Sequence, residues 1–333
     1  MSSNNPLCSI LICFYRVEGF IERCAKSVLG QSYPNIEYVF IDDCSPDNSL
    51  AILESTISQF PLRSSQIKIL RNNANLGIAS SRNKAVDNCT GEFILWVDAD
   101  DYISVDAVSH LISLQLQTNA DIISAKFIEV GNDGQRERSL CQVKTRQEML
   151  IGLLNFSILP MLWGRLIRTS LYRDNHIKAL DGINYREDSQ VISRLVYYSN
   201  RIATLDEVIY YYDRTNECSY MKMGWQKIEH KIEKDKQDLI AVSSICSFFK
   251  DKAPSYRQPA EESVVYHLRE LLRDTARSGD KNLFMETAAS LSQIEFTYVK
   301  KYGKSVYFLC KICPLALWWI KRSRVRLLEH NQS

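Results

Sequence analysis

Four short stretches in the first hundred residues are apolar almost from end to end: 8–14, 36–41, 66–70 and 92–97. A strand that faces water on one side alternates apolar with polar; a strand apolar on both faces is buried on both. Between these stretches lie helical patterns at 18–29, 47–60, 78–86 and 104–116, with Asp47 as a candidate N-cap and Gly77 opening the third. A fifth strand is expected at 121–130. Buried strands separated by helices leave few solutions, and the expected one is an open, mostly parallel sheet with helices on both faces.

The rest of the chain reads differently. Residues 146–172 have a helical pattern, with Trp163 and Arg165 in a short irregular stretch. Tyr185-Arg-Glu-Asp188 precedes a helical run to Tyr198, and 207–213 is an aromatic, strand-like run. From about Gly224 the periodicity is helical, at 225–250, 257–278 and 280–295, before a basic and aromatic tail. The expected division is an α/β domain over 1–220 and a helical region over 221–333.

Composition narrows the function classes. The 333 residues are 45% hydrophobic and 24% charged, enough for a large core. With 41 Lys and Arg against 39 Asp and Glu, the net charge is +2, so a globally basic nucleic-acid binder is excluded, as is an acidic disordered chain. The 12 Gly and 8 Pro exclude a collagenous chain. The first six residues are polar and the apolar stretch after them is too short for a secretory signal. The ten scattered cysteines are therefore expected to be reduced packing residues of a cytoplasmic protein. No uninterrupted apolar run reaches about 18 residues, so no conventional spanning helix is expected.

The chemistry is expected at the strand ends, because open parallel sheets bind ligands beyond the carboxyl ends of their strands. Asp42 and Asp43 end the second strand; Asp98, Asp100 and Asp101 end the fourth. Five carboxylates on one rim repel one another unless donors or a cation compensate them. A site of carboxylates without His or Cys suits a hard ion such as Mg²⁺ or Mn²⁺, which completes its shell with phosphate and water.

These residues sit in a series of motifs. In order they are Ser9-Ile-Leu-Ile with Tyr15, Ser27-Val-Leu-Gly-Gln-Ser-Tyr33, and Ile36-Glu-Tyr-Val-Phe-Ile-Asp-Asp-Cys-Ser45. Then come Asn75-Leu-Gly-Ile-Ala-Ser-Ser-Arg-Asn83, Gly91-Glu-Phe-Ile-Leu-Trp-Val-Asp-Ala-Asp-Asp101, Trp163-Gly-Arg-Leu166 and Tyr185-Arg-Glu-Asp188. Together, over about residues 7–219, they resemble a family 2 glycosyltransferase with the GT-A nucleotide-diphospho-sugar transferase fold, of the kind that builds bacterial surface polysaccharides.

The resemblance implies roles by position. Asp188 would be the catalytic base, beside Glu187 on the acceptor side. Asp98-Ala99-Asp100 matches the D-x-D motif, with Asp100 holding Mn²⁺ or Mg²⁺ and Asp98 facing the ribose or sugar. Asp43 would bond the uracil ring, and Arg82 would hold the sugar–phosphate region. Tyr212, Arg214 and Ser219 resemble a loop that closes behind the base. After the first strand the family usually has Pro-x-Tyr-Asn; here Cys13-Phe-Tyr-Arg16 stands instead, with Cys13 and Tyr15 left to contact the nucleoside. Trp163 reads as core or as an acceptor platform. The implied reaction is metal-dependent, inverting hexosyl transfer from a UDP-sugar to a saccharide or lipid-linked acceptor.

Rival readings are weaker. A nucleotidyltransferase on a related fold needs a Gly-rich, basic loop after the first strand, where this chain has Phe14-Tyr-Arg-Val-Glu18. A receiver-like signalling domain leaves the second half without a role. A non-catalytic sugar-nucleotide-binding protein differs only in turnover. Cys310-Lys-Ile-Cys313 has no second cysteine pair, and Gly303-Lys-Ser305 lacks the glycine that a phosphate-binding loop needs at 298. Between Lys300 and Arg326 there are eight Lys or Arg and no acid, with Trp318-Trp319 among them. That pattern suits an anionic membrane surface at the cytoplasmic face of the inner membrane, or a final helix packed on the body.

Overall fold

The computed structural model describes residues 5–217, 227–293 and 309–330. Ser219, the first residues of the 225–250 pattern, and the stretch holding Gly303 and Ser305 lie outside the described residues. The chain divides into two compact units, Met1–Glu217 and Cys218–Ser333.

The first unit is built on one sheet. Strands β1 (Cys8–Phe14) and β2 (Ile36–Asp42) are buried at all seven positions, as their mostly apolar sequences require, and the Ser9 hydroxyl donates to the buried Glu37 carboxylate at 2.6 Å. They pair in parallel, and β1 also pairs in parallel with β4 (Phe93–Trp96). Strand β3 (Ile67–Arg71) adds in parallel to β2. Phe14 lies opposite Asp42, and Asp42 opposite Arg71, so the strand ends meet along one rim. Helices α1 (Ile21–Leu29), α2 (Ser49–Ile57), α3 (Ile78–Asn88) and α4 (Ala107–Thr118) fall within or beside the expected ranges.

Beyond β4 the sheet is mixed. Its order is β3-β2-β1-β4, then β8 (Arg165–Arg168), β6 (Ile122–Gly131), β9 (Ile202–Asp213) and β5 (Tyr102–Ile103), with β7 (Gly134–Ser139) on β6. The region expected to be helical at 146–172 contains helix α5 (Arg146–Leu154), strand β8 (Arg165–Arg168) and helix α6 (Thr169–Asp174). Strand β8 runs antiparallel between β4 and β6 (Ile122–Gly131). Its sequence, Arg-Leu-Ile-Arg, is too short and too charged to show the strand signature. Burial is possible because the fully buried Arg165 guanidinium donates to Ser124 Oγ at 3.0 Å and to the carbonyls of Leu159, Met161 and Leu140. Strand β7 (Gly134–Ser139) is exposed and polar and had no apolar signal. Strand β9 (Ile202–Asp213) pairs in parallel with β6 through a bulge, and in antiparallel with the two-residue β5 (Tyr102–Ile103). Helix α7 (Glu187–Tyr198) completes this unit.

The second unit is helical: α8 (Ile228–Phe249), α9 (Pro254–Ser278), α10 (Lys281–Ser292) and α11 (Pro314–His330). Its core gathers Leu268, Leu272, Phe284, Leu291, Leu317 and Trp318, with the Phe284 and Trp318 rings edge to face at 5.0 Å.

Candidate functional site

The site grows from helix α3. Its N-cap, Gly77, has φ +85°, and a Cβ there would meet the Asn184 side chain at 2.3 Å. Glycine is thus required twice, for the backbone conformation and for the close approach of the 177–187 segment. That segment is stitched along α3. Asn184 Oδ1 accepts from the Ala79 amide at 3.2 Å, and the Ser80 hydroxyl donates to Asp181 at 2.9 Å. Asn83 bonds reciprocally with Ala179, donating to its carbonyl at 2.9 Å and accepting from its amide at 3.0 Å. Glu187 and Asp188 then open α7, where the partial positive charge of a helix N-terminus favours acids.

Arg82, on the same helix, faces both acidic motifs. Its guanidinium donates to Glu187 Oε1 and to Asp98 Oδ1, each at 2.9 Å, and pairs with Asp188 Oδ1. It also lies 5.5 Å over the Trp96 ring. Although Arg82 is only 6% exposed, Asp98 and then Glu187 outweigh its desolvation and raise its pKa further, so it is a fixed cation. Glu187 is shifted the other way: burial pushes its carboxyl above the usual range despite Arg82.

The Asp98–Asp101 turn is held from several elements. The Tyr210 hydroxyl donates to Asp101 Oδ2 at 2.6 Å and accepts from the Asp98 amide at 3.1 Å. The Asp213 amide donates to Asp101 Oδ1 at 2.7 Å. Arg23, from α1, donates to the Asp100 carbonyl at 2.8 Å and pairs with Asp213 at 2.6 Å. Asn216 donates to Asp100 Oδ2 at 3.0 Å. Burial, then the neighbouring Asp98, push the Asp100 carboxyl up to about 6. That shift marks negative charge that the protein's own donors leave under-compensated.

Asp43 has another arrangement. It accepts from Asn72 Nδ2 at 2.8 Å, the Leu76 amide at 2.9 Å and, through Oδ2, the Gly77 amide at 2.8 Å. It therefore fixes the turn that leads into α3 and ties the second strand end to Arg82. Cys13 is buried at the end of β1, and desolvation raises its thiol pKa. Tyr15 is half-buried, with the Arg16 guanidinium 5.4 Å over its ring. Ala99 is buried within the turn. Arg214 follows β9 and approaches Glu129 at 3.9 Å.

Trp163 lies in the core, 3% exposed, with its indole stacked on Tyr210 at 4.4 Å and Tyr212 at 5.6 Å. Too little of the ring is open for a sugar to stack on it, so of its two readings the packing one describes this structure. It supports Tyr210, which holds the acidic turn. Sequence reasoning missed Arg23, Asn184, Tyr210 and Asn216. Arg23 and Asn216 are ordinary polar residues far in sequence from their partners, and Tyr210 sits in an aromatic run that reads simply as core.

Residues 9–179 match the profile of Glycosyl transferase family 2. Among curated proteins the chain is similar to an uncharacterized glycosyltransferase, EpsJ of Bacillus subtilis (strain 168). The two are 29% identical over 244 residues, 71% of this chain and 69% of EpsJ. It is also similar to the poly(ribitol-phosphate) beta-N-acetylglucosaminyltransferase TarS of Staphylococcus aureus (strain Mu50 / ATCC 700699), 27% identical over 219 residues. That alignment takes in 65% of this chain but only 37% of TarS. Among solved structures, S. aureus TarS 1-349 in complex with UDP-GlcNAc superposes with a TM-score of 0.70 and 18% identity, over 96% of this chain and 91% of that one. A mannosyltransferase of Pyrobaculum calidifontis, in complex with GDP-Man and Mn²⁺, superposes with a TM-score of 0.55 and 15% identity, over 97% of this chain and 84% of that one.

Proposed function

The chain belongs to glycosyl transferase family 2 and has the GT-A fold, and from that premise we propose that it moves a hexosyl group from a UDP-sugar to an acceptor hydroxyl, with inversion at the anomeric carbon. The observation that carries the reading is the buried cation Arg82, paired to Asp98 of one acidic motif and to Glu187 and Asp188 of the other. One side chain thereby links the donor motif to the candidate base.

Asp188 is the proposed base. Arg82 holds its Oδ1 and supplies a counter-charge, leaving Oδ2 to take the acceptor's proton. General base catalysis of this kind contributes about 10²–10⁴ in rate. A single displacement from the opposite face turns an α-linked donor into a β-linked product. Glu187, with its raised pKa, lines the acceptor side as a hydrogen-bonding group. Asp43, Cys13, Tyr15 and Ala99 form the proposed nucleoside side, and Arg214 borders the donor.

The Asp98–Asp101 turn fits a divalent ion. Its donors are hard carboxylate oxygens, and the raised Asp100 pKa reports charge that a cation would offset. Among the described residues, no group of three or more His, Cys, Asp or Glu is arranged to hold an ion unaided, so diphosphate and water would complete the shell. Asp100, with Asp98 beside it, would hold Mn²⁺ or Mg²⁺, which when bound offsets the charge building on the leaving diphosphate. Asn216 donates to the Asp100 carboxylate and Arg23 to its backbone carbonyl, while Tyr210 bonds Asp101 and the Asp98 amide, so the turn that carries those carboxylates is held in place.

The relatives' printed activities, transfer of N-acetylglucosamine or glucose to poly(ribitol phosphate), make a saccharide or polyol-phosphate acceptor in surface polysaccharide synthesis the first class to try. The test is a panel of UDP- and GDP-sugars with Mn²⁺ or Mg²⁺, scored by donor hydrolysis and transfer. A UDP-sugar should be consumed, and EDTA should stop it. Asp188→Asn should lower turnover about 10²–10⁴-fold with UDP affinity retained. Near-wild-type turnover by that variant would remove Asp188 as the base, and full activity in EDTA would remove the ion.

A further inference from the structure

The Asp43 carboxylate is nearly saturated by the protein's own donors. An ionised carboxylate only accepts, at about four lone-pair positions. Among the described residues Asp43 has three donors: Asn72 Nδ2 and the Leu76 amide on Oδ1, and the Gly77 amide on Oδ2. The position that remains is on Oδ2. Two of these donors are backbone amides of the turn into α3. The third, Asn72, is a side chain that no step of the proposed reaction uses.

Asn72 follows β3 directly and is buried. Its backbone amide donates to the Asp42 carbonyl at 2.8 Å, and both ends of its side-chain amide are engaged. Besides Asp43, Nδ2 donates to the Ser81 hydroxyl at 3.0 Å. Oδ1 accepts from the Lys84 ammonium at 2.8 Å, and that ammonium also donates to the Arg71 carbonyl at 3.0 Å. These partners leave one orientation of the amide. Turned over, it would set Oδ1 against a carboxylate and Nδ2 against a cation. Ser81 and Lys84 belong to α3, so the helix that carries Arg82 also clamps the residue that holds Asp43.

We infer that Asn72 is a positioning residue for the nucleobase: by occupying Oδ1 it fixes the Asp43 carboxylate so that one acceptor position, on Oδ2, meets the base. One acceptor position takes one N–H. The uracil ring of a nucleotide carries one, at N3. Cytosine, a ring of the same size, has a bare nitrogen there, whose lone pair would face the carboxylate. The arrangement therefore favours uridine over cytidine nucleotides. The inference rests on the proposed contact between Asp43 and the uracil ring, and adds what sets that contact.

The experiment is calorimetric titration of the full chain with UDP and with CDP. Wild type should bind UDP about tenfold more tightly than CDP, or better. Asn72→Ala should lower UDP affinity about tenfold and narrow the UDP-to-CDP ratio by a similar factor, since CDP has no such bond to lose. Asn72→Ser keeps a hydroxyl in the site but ends a bond short of Nδ2, and should do the same, so failure of one variant to fold leaves the other. Ser81→Ala removes the second acceptor of Nδ2 and spares the bond to Asp43; its ratio should stay at the wild-type value. In an Asp43→Ala background, Asn72→Ala should change UDP affinity by about twofold or less, because it acts through that carboxylate. Equal wild-type affinity for the two nucleotides, an equal loss of both in the Asn72 variants, the same narrowing by Ser81→Ala, or additive losses in the double variant would overturn the inference and leave the Asp43 contact standing. If Asp43→Ala alone binds UDP as tightly as wild type, the contact itself fails, and the inference with it.

Discussion

Both units bury charged groups, and they dispose of them in opposite ways. In the sheet unit, Arg82 of α3 joins Asp98, just past the end of β4, to Glu187 and Asp188 of α7 at the strand-end rim. In the helical unit, charge is settled within one helix pair. Lys234 bonds Asp238 one turn away at 2.7 Å, and Lys231 of α8 pairs with the fully buried Asp274 of α9 at 2.5 Å. Asp235 shares a hydrogen bond with Asp274. The first arrangement keeps acids from different elements facing one space at the rim, where a substrate can enter. The second satisfies each charge with a neighbour and leaves the acids to structure. Buried charge is therefore weak evidence for function until its partners and its setting are known.

The sharpest way to break this contrast is to remove Arg82. Arg82→Ala strips the cation from three carboxylates, and leaving buried charge uncompensated costs about 3–5 kcal/mol. Donor hydrolysis should fall with stability, read by turnover and by denaturant unfolding. A stable and active variant would place the chemistry elsewhere. Phe284→Ala is the counterpart in the helical unit. It opens a cavity beside Trp318 and should cost about 3–5 kcal/mol in that unit, while donor hydrolysis per folded molecule stays near wild type. Loss of hydrolysis at full folding would tie the two units together functionally.

Smaller effects sharpen the comparison. Asp43→Ala should weaken UDP binding by about 1.5–3 kcal/mol, measured by calorimetry, if the carboxylate bonds the base. Unchanged affinity would leave Asp43 with only its turn-holding role. The smallest effect is a pH dependence in the helical unit. Burial, then the bond to Asp274, raise Asp235 to about 7, with Lys234 and Lys231 opposing. The folded state thus keeps a proton that the unfolded state loses near pH 4, so stability falls as pH rises from about 4 to 7. Asp274, shifted down, contributes stability that is lost only as pH falls below the ordinary carboxylate range, outside that window. Discounted for solvent screening, the Asp235 effect is about 1 kcal/mol, read from unfolding midpoints at pH 5 and 8. Asp235→Asn should flatten it; an unchanged slope would mean that another group carries it.

Much of this was legible without coordinates. The parallel core followed from strands apolar on both faces, because only a doubly covered sheet hides such surface. The acidic clusters at 42–43 and 98–101 followed from where those strands stop. Helices at 225–250, 257–278 and 280–295 were expected from periodicity, and α8, α9 and α10 lie close to those ranges. Strand β8 was not legible, since four residues bounded by arginines carry no period. Its burial rests on Arg165 finding acceptors 4, 6, 25 and 41 residues away in the chain.

By itself the sequence determined the layer architecture and the chemical types at the rim, because hydrophobic period and residue identity are local properties. Only the tertiary structure decided which of those groups meet. Arg82 lies 105 residues before Glu187, and the hydrogen bonds of Ser80, Asn83 and Asn184 that draw the two segments together have no signature in either one. Tyr210 reads as core and also bonds the acidic turn, because its ring stacks on Trp163 while its hydroxyl reaches Asp101. Pairing across such separations is set by packing the whole chain at once, which no local pattern encodes.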